Sequence, residues 1–447
     1  MTRVNSVERT IWIVGLWHQG LVMAAVFAER GFNVVGLTAT TQDVSNLSEG
    51  MLPVFEPGLE VAIKSGVASG RIRFAQVSNS PEHHPDLIIL AHDTDVDDQD
   101  KVQLSQIFSD FEGILNHLSS SVQVLVTAQI PLGTCKKLEN LAVLVAPDID
   151  THMAYMPENL RLGTALERFR NIPLPVIGIR NAKQQVLYSE IFKDLAPEVH
   201  FCSIEEAELL KSALNCFLAI GVTFGNEILR IALEYGANAN RVIELLQLEP
   251  RVGSALPMRP GLAFSGGTLA RDVQTIRQIA QDHQVQVPMI EGVWASNEFQ
   301  KEFFVDYIEE YANRLTAANL GLKPRIGILG LTYKVGTSTL RRSLSIWTAQ
   351  SLRSRGFEVL VHDPMQGEFD GSQLVNLLEM DSSSQLIDAA DLIVVMTPWP
   401  EYETLLTSRT EDFATKVLID PSAKFSFIRS RYPENYLDFV SMKGVHP

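Results

Sequence analysis

Ile11-Trp12-Ile13-Val14-Gly15-Leu16-Trp17-His18-Gln19-Gly20 is the stretch on which the reading of the first half of the chain turns. Four apolar residues stop at a glycine, and Leu21 to Arg30 then has helical spacing until Gly31. A second apolar run, Phe32 to Leu37, follows at once. Strand, tight turn, helix and strand in that order predict the opening of a parallel sheet, since parallel neighbours need a crossover between them. A dinucleotide fingerprint belongs at such a turn. It uses one glycine to turn, a second to let the backbone approach a diphosphate, and a third to pack the helix. Gly15 and Gly20 supply the first and third, whereas Trp17 occupies the second. The helix N-terminus still offers free N–H groups and a favourable dipole to phosphate. The acidic residue expected about 20 residues on for a ribose hydroxyl is replaced by Thr38, and no nearby arginine suggests a 2′-phosphate. The stretch reads as a dinucleotide turn with altered contacts, a purely structural turn being the alternative.

Further apolar runs at Leu87 to Leu90 and Val122 to Val126 extend a sheet buried on both faces. From Ile204 to about Leu320 the chain is largely helical, with breakers at Gly236, Pro250, Pro260-Gly261 and Pro288. Ile290, Val293, Trp294, Phe304, Tyr307, Ile308, Tyr311 and Leu315 lie at helical spacing and predict one long helix over 289–320. After Lys323-Pro324 a second strand-turn-helix begins at Arg325-Ile-Gly-Ile-Leu-Gly330. A helix over 344–354 and strands at 358–362, 392–396 and 417–419 follow. The expected fold is α/β: two Rossmann-like doubly wound domains, 1–203 and 321–447, joined by a central helical region, 204–320.

Composition narrows the function. The 447 residues carry 37 basic and 53 acidic side chains, a net charge of −16 without a basic stripe, which argues against nucleic acid. No run of 18–20 uninterrupted apolar residues predicts a membrane span, and the first 20 residues do not read as a signal peptide, so a cytoplasmic protein is expected. Cys135, Cys202 and Cys216 have no metal-ligand spacing, the ten histidines do not cluster usefully, and His83-His84 reads as loop. No metal is expected.

Several short motifs recur in one order. Leu52-Pro-Val-Phe-Glu56-Pro57-Gly58-Leu59 is followed by Ile130-Pro131-Leu132-Gly133-Thr134 and Pro157-Glu158-Asn159-Leu160-Arg161-Leu162-Gly163. Glu208-x-x-Lys211-x-x-x-Asn215, Asn226-Glu227, Arg251-Val-Gly253 and Phe264-Ser-Gly-Gly267-Thr268-x-x-Arg271-Asp272 come next, then Tyr333-Lys334 and Arg341-x-Ser343. Along nearly its whole length the chain resembles the UDP-glucose/GDP-mannose dehydrogenase family. Each motif is weak alone, but their shared order and spacing carry the resemblance.

That resemblance implies NAD as cofactor, a nucleotide sugar (a UDP-sugar by preference) as substrate, and a homodimer or larger homo-oligomer. Gly15, Trp17, Gly20, Thr38, Gln129 and Arg341 fall at implied cofactor positions. Asn159, Leu160, Arg161, Arg251, Phe264, Gly267 and Lys334 fall at implied substrate positions, with Arg251 implied to reach a neighbouring subunit. Lys211 and Asn215, four apart, share one helix face, where an ammonium and an amide can address one oxygen. Without the surrounding pattern they would read as an exposed lysine and a buried structural asparagine. The resemblance implies that they and Asp272 polarise oxygen and order water, with Glu158 as acid, base or water partner.

The family pattern has a cysteine where this chain has Thr268. A thiolate can add to an aldehyde and carry it through a thioester to the acid, whereas a threonine hydroxyl is far less acidic and needs an adjacent base. Gln129, Leu162 and Arg342 depart from the pattern as well. The expected activity is therefore NAD-dependent oxidation of a sugar alcohol carbon without the cysteine step. Direct oxidation of an aldehyde hydrate is a variation on it. A redox-silent nucleotide-sugar-binding or regulatory protein is the main alternative, and a small-hydroxy-acid dehydrogenase a weaker one. The aromatic stripe on the long helix near 289–320 reads as core or dimer packing, and a dimer or larger assembly is expected from that helix's apolar and aromatic face.

Overall fold

The computed structural model describes residues 9–79, 84–94, 102–157, 160–332, 334–336, 340, 342–369, 374 and 376–439. The chain forms two compact units, residues 1–213 and 214–447. In the first, strands β1 (Thr10–Val14), β2 (Asn33–Thr38), β3 (Ile72–Gln76), β4 (Leu87–Leu90), β5 (Val122–Val126), β6 (Thr151–Tyr155), β7 (Val176–Gly178) and β8 (His200–Cys202) make one sheet. Its order is β3-β2-β1-β4-β5-β6-β7-β8. Among these pairs only β6 and β7 run antiparallel, at Tyr155 opposite Gly178. The order reverses at β1, where β2 and β4 flank it, and in open α/β sheets ligands bind outside the strand ends at such a switch point.

Helix α1 (Gln19–Glu29) crosses from β1 to β2, and α2 (Thr41–Ser48) begins just past β2. Ten of the eleven residues of α1 are buried, because Leu21 through Ala28 are all small or apolar and the helix packs on the sheet and on its neighbours. The sheet's two faces are covered separately. Ile11 and Ile13 face one cluster with α1, while Trp12 and Val14 face another with Phe111 and Leu138. This alternation within a wholly apolar strand is what burial on both faces requires.

Helix α3 (Ile204–Glu234) is 31 residues long, and its first turns pack on the first sheet through Ile204, Ala207 and Leu210. By length and composition it is the one helix among the described residues apolar enough to cross a membrane, and half of its most apolar window is buried inside the protein. It also carries the buried polar residues Glu208, Lys211, Asn215 and Asn226.

In the second unit, helices α4 (Leu269–Asp282) and α5 (Pro288–Ala318) precede a second sheet. Pro288 opens α5 at its first turn, where no intrahelical donor is needed. The sheet contains β9 (Ile326–Leu329), β10 (Val359–His362), β11 (Leu378–Glu379), β12 (Leu392–Val395), β13 (Val417–Ile419) and β14 (Tyr436–Leu437). Its order is β11-β10-β9-β12-β13-β14, all parallel, with the reversal at β9. Helix α6 (Leu344–Ser354) begins at Ser343, whose hydroxyl accepts from the amides of Ser345 and Ile346.

The stripe on α5 is core packing at Phe304, Tyr307 and Ile308, which are buried in the second unit with Ile326, Ile328 and Val394. Large apolar residues are exposed on α5 at Met289 and Phe299, and on α3 at Phe217, Phe224 and Ile231, the last three at seven-residue intervals.

Candidate functional site

The first glycine turn is held by close packing. Gly15 has φ +87°, and a Cβ there would lie 2.6 Å from the His92 amide nitrogen and 2.7 Å from the Ala91 carbonyl carbon. A Cβ on Gly20 would fall 2.2 Å from the Gly15 carbonyl oxygen. Only glycine fits either position, which is the steric condition for a backbone that cradles a diphosphate. The cradle therefore suits NAD. Trp17 is exposed at the lip, edge-on to His18. Thr38, half-buried at the end of β2, donates to the Asp43 carboxylate at 3.3 Å, and Thr40 does so at 2.5 Å. A carboxylate therefore stands beside the strand end after all, delivered from the first turn of α2. Gln129 is half-buried after β5, and its carbonyl accepts from the Thr94 hydroxyl at 2.5 Å.

Two buried glutamates tie distant motifs together. Glu56 accepts from the Gly163 amide at 2.7 Å and the Ala165 amide at 2.8 Å, and meets His18 Nε2 at 3.0 Å. The segment that ends at Gly163 is thus anchored to the glycine turn through one carboxylate. Glu208 on α3 accepts from the amides of Gly133 at 2.7 Å and Cys135 at 2.9 Å, fixing the turn that starts the helix Thr134–Val145. Hydrogen bonds to a charged group contribute about 1.5–3 kcal/mol each, so each clamp is firm. Neither role follows from the short motifs in which Glu56 and Glu208 stand. An acid set between Phe55 and Pro57 in an otherwise apolar stretch is the available signal at Glu56.

Lys211, Asn215 and Asp272 are all buried, so Lys211 is not a solvated surface lysine. Asn215 donates through Nδ2 to the Asp272 carboxylate. Asp272 lies in the first turn of α4, where the helix dipole favours negative charge. Thr268 is the N-cap residue of α4, one turn before Asp272, and is exposed with no capping hydrogen bond from its side chain. Cys216 is buried nearby on α3. Burial first, and the Asp272 charge second, push its thiol up to about 12. A thiol raised in this way is less ionised near neutral pH and so a poorer nucleophile.

A cavity of about 270 Å³ lies in the second unit between Leu262, Ala263, Phe264 and Ser265 on one side and Thr332, Leu344, Ser345, Met396 and Thr397 on the other. Its walls are rigid. Three buried amides on α3 and α5 hold the 261–264 segment: Asn226 accepts from the Gly261 amide at 2.8 Å, Asn297 from the Phe264 amide at 2.8 Å, and Gln300 donates to the Gly261 carbonyl at 2.9 Å. Opposite, Asp363 after β10 accepts from the amides of Leu331 at 2.6 Å and Thr332 at 3.1 Å. Gly330 repeats the geometry of Gly15: φ is +88°, and a Cβ would lie 2.4 Å from the Thr397 carbonyl oxygen. The cavity thus opens at the switch point of the second sheet, mirroring the first turn.

Of the other expected contacts, Phe264 lines this cavity, whereas Gly267 lies exposed beyond it. Leu160 is half-buried and Arg161 exposed. Lys334 is exposed, and Arg251 is exposed with its guanidinium on Glu249 at 2.8 Å. Arg342, held at φ +53°, reaches the Gly266 carbonyl at 3.5 Å. Glu158, Asn159, Tyr333 and Arg341 lie outside the described residues, as does His83. Among the described residues no cluster of three or more His, Cys, Asp or Glu could hold a metal.

Two parallel sheets, each with a glycine turn at its switch point, the first shaped for a dinucleotide diphosphate, define a two-domain Rossmann protein. The chain belongs to the UDP-glucose/GDP-mannose dehydrogenase family: residues 9–196 match its NAD binding domain, 205–299 its central domain and 327–425 its UDP binding domain. NAD is the cofactor of the first of these. The UDP-glucose 6-dehydrogenase of Rhizobium meliloti (strain 1021) is 29% identical over 420 residues, 92% of this chain and 94% of that protein. The GDP-mannose 6-dehydrogenase of Pseudomonas putida is 26% identical over 436 residues, covering 93% and 94%. A UDP-glucose dehydrogenase from the hyperthermophilic archaeon Pyrobaculum islandicum superposes with a TM-score of 0.84 at 26% identity, covering 98% of this chain and 99% of that one.

Proposed function

We propose that this protein oxidises an alcohol carbon of a nucleotide sugar, by preference a UDP-sugar, without a cysteine thioester step. The hydrogen-bonded, buried Asn215–Asp272 pair carries this reading, because a desolvated carboxylate fixing an amide is costly to keep unless it acts. The Gly15–Gly20 turn would hold NAD, which would supply the hydride acceptor for the alcohol carbon. The Lys211 ammonium and the Asn215 amide suit the oxygen that gains carbonyl character, and both project from one face of α3. Asp272 orients that amide and orders the water through which the hydroxyl proton leaves. Thr268 stands where the family resemblance places a thiol. Its side chain caps nothing at the start of α4, and the Cys216 thiol is too weakly acidic to stand in for the missing one. The first product is then an aldehyde.

The nucleotide is assigned to the 270 Å³ cavity, with Phe264 in its wall, and Gly267, Lys334 and Arg251 are assigned to the substrate. Asn159, Leu160 and Arg161 are assigned to the sugar, and Glu158 to the role of acid, base or water partner. Residues 1–203, 204–320 and 321–447 serve as cofactor, central and nucleotide domains. Self-association is assigned to the seven-residue repeat of Phe217, Phe224 and Ile231, which suits a helix-to-helix seam. Thermal stabilisation by NAD and by UDP- and GDP-sugars, singly and in pairs, tests the reading. It expects both NAD and one UDP-sugar to raise Tm. Stabilisation by a sugar with none by NAD would favour a redox-silent binding protein instead.

A further inference from the structure

At the N-terminus of α1 the His18 amide already has an acceptor. Asp93 follows β4, which lies beside β1 at the switch point, and its carboxylate accepts from the His18 amide at 3.3 Å. His18 and Gln19 are the N-cap and first residue of α1, the positions from which a dinucleotide fingerprint presents N–H groups to a diphosphate. The arrangement is braced: the Gln19 side chain donates to the His92 carbonyl at 3.0 Å, and the His92 ring meets Asp110 at 2.9 Å. His18 itself is engaged by Glu56.

We propose that Asp93 is an internal competitor for the dinucleotide diphosphate, so that the protein binds NAD only by displacing its own carboxylate from the N-terminus of α1. The inference rests on residues 9–196 being an NAD binding domain. A carboxylate and a diphosphate are both anionic acceptors, neither can donate to the other, and they claim the same amides. Like charges would repel if both stayed, so Asp93 swings out and gives up its hydrogen bonds, which weakens NAD binding. Asp93 keeps an exposed side, so it has somewhere to go. Its carboxyl is raised above the usual range, by desolvation more than the amides and the nearby His18 and His92 rings lower it.

Calorimetry on the full chain with NAD, ADP and adenosine tests this, using Asp93→Asn and Asp93→Ala. The asparagine variant keeps the shape and removes the charge, while the alanine variant clears the amides. We expect NAD and ADP to bind about tenfold more tightly to both variants, the effect of one recovered charge-assisted contact. Adenosine, which lacks phosphate, should bind all three proteins alike. Unchanged or weaker NAD binding in both variants, with melting temperatures near that of the parent, would overturn the proposal. An equal gain for adenosine would also overturn it, since the effect would then not lie at the phosphates. If parent and variants all fail to bind NAD and ADP, the assignment of the domain fails and the Asp93 inference falls with it.

Discussion

Asp272→Asn is expected to lower kcat for nucleotide-sugar oxidation by about 10²- to 10⁴-fold, the usual range for removing a group that moves or orders a proton. The substitution isolates charge from shape. The introduced amide keeps a carbonyl oxygen in the place where the Asp272 carboxylate now accepts from Asn215, so the buried contact between α3 and α4 survives. What disappears is the negative charge in a buried setting, where electrostatic interactions are stronger than in water. The melting temperature should therefore stay within a few degrees of the parent while kcat falls, and KM for the sugar should move far less than kcat. Steady-state kinetics with a melting curve reads all three. A variant with parental kcat would remove Asp272 from the chemistry and leave the Asn215 pair as packing.

Gly15→Ala should be the most damaging single-methyl change in the first unit. It combines a non-glycine residue at φ +87°, costing about 1–3 kcal/mol, with a Cβ driven to 2.6 Å from the backbone of β4's extension, costing about as much again. A loss of roughly 3–5 kcal/mol lowers Tm on the order of 10 °C for a unit of this size. NAD binding should fail with it, since the turn that carries the amides must open. Gly70→Ala is the internal control. It has φ +72° but nothing within 4 Å of the added methyl, so only the conformational cost of about 1 kcal/mol applies. Equal melting temperatures for the two variants would mean that close approach at the switch point does not stabilise the turn.

The glycine turn was legible in the sequence because its requirements are local: Gly15 and Gly20 sit at fixed spacing between a strand and a helix. The second sheet was legible for the same reason around Gly330. Elements whose partners lie far along the chain were not. Glu56 serves amides 107 and 109 residues away, and Asp93 reaches back 75 residues to His18, so no window of sequence contains both partners. Thr38 looked like a lost ribose contact because the carboxylate that stands beside it, on Asp43, comes from the next helix. The aromatic stripe on α5 had the right period, but period alone does not say whether a face meets a partner or the chain's own second sheet. Asn215 and Asp272, 57 residues apart, were paired only through the family resemblance.

The most direct test of the central claim is the amount of NADH formed per UDP-sugar consumed, with the sugar product identified by mass spectrometry after trapping carbonyls. On the proposal that no thiol carries a second oxidation, one NADH per sugar and a trapped aldehyde are expected. Two NADH per sugar with a uronic acid product would contradict it, and so would the absence of any NADH across the panel of nucleotide sugars.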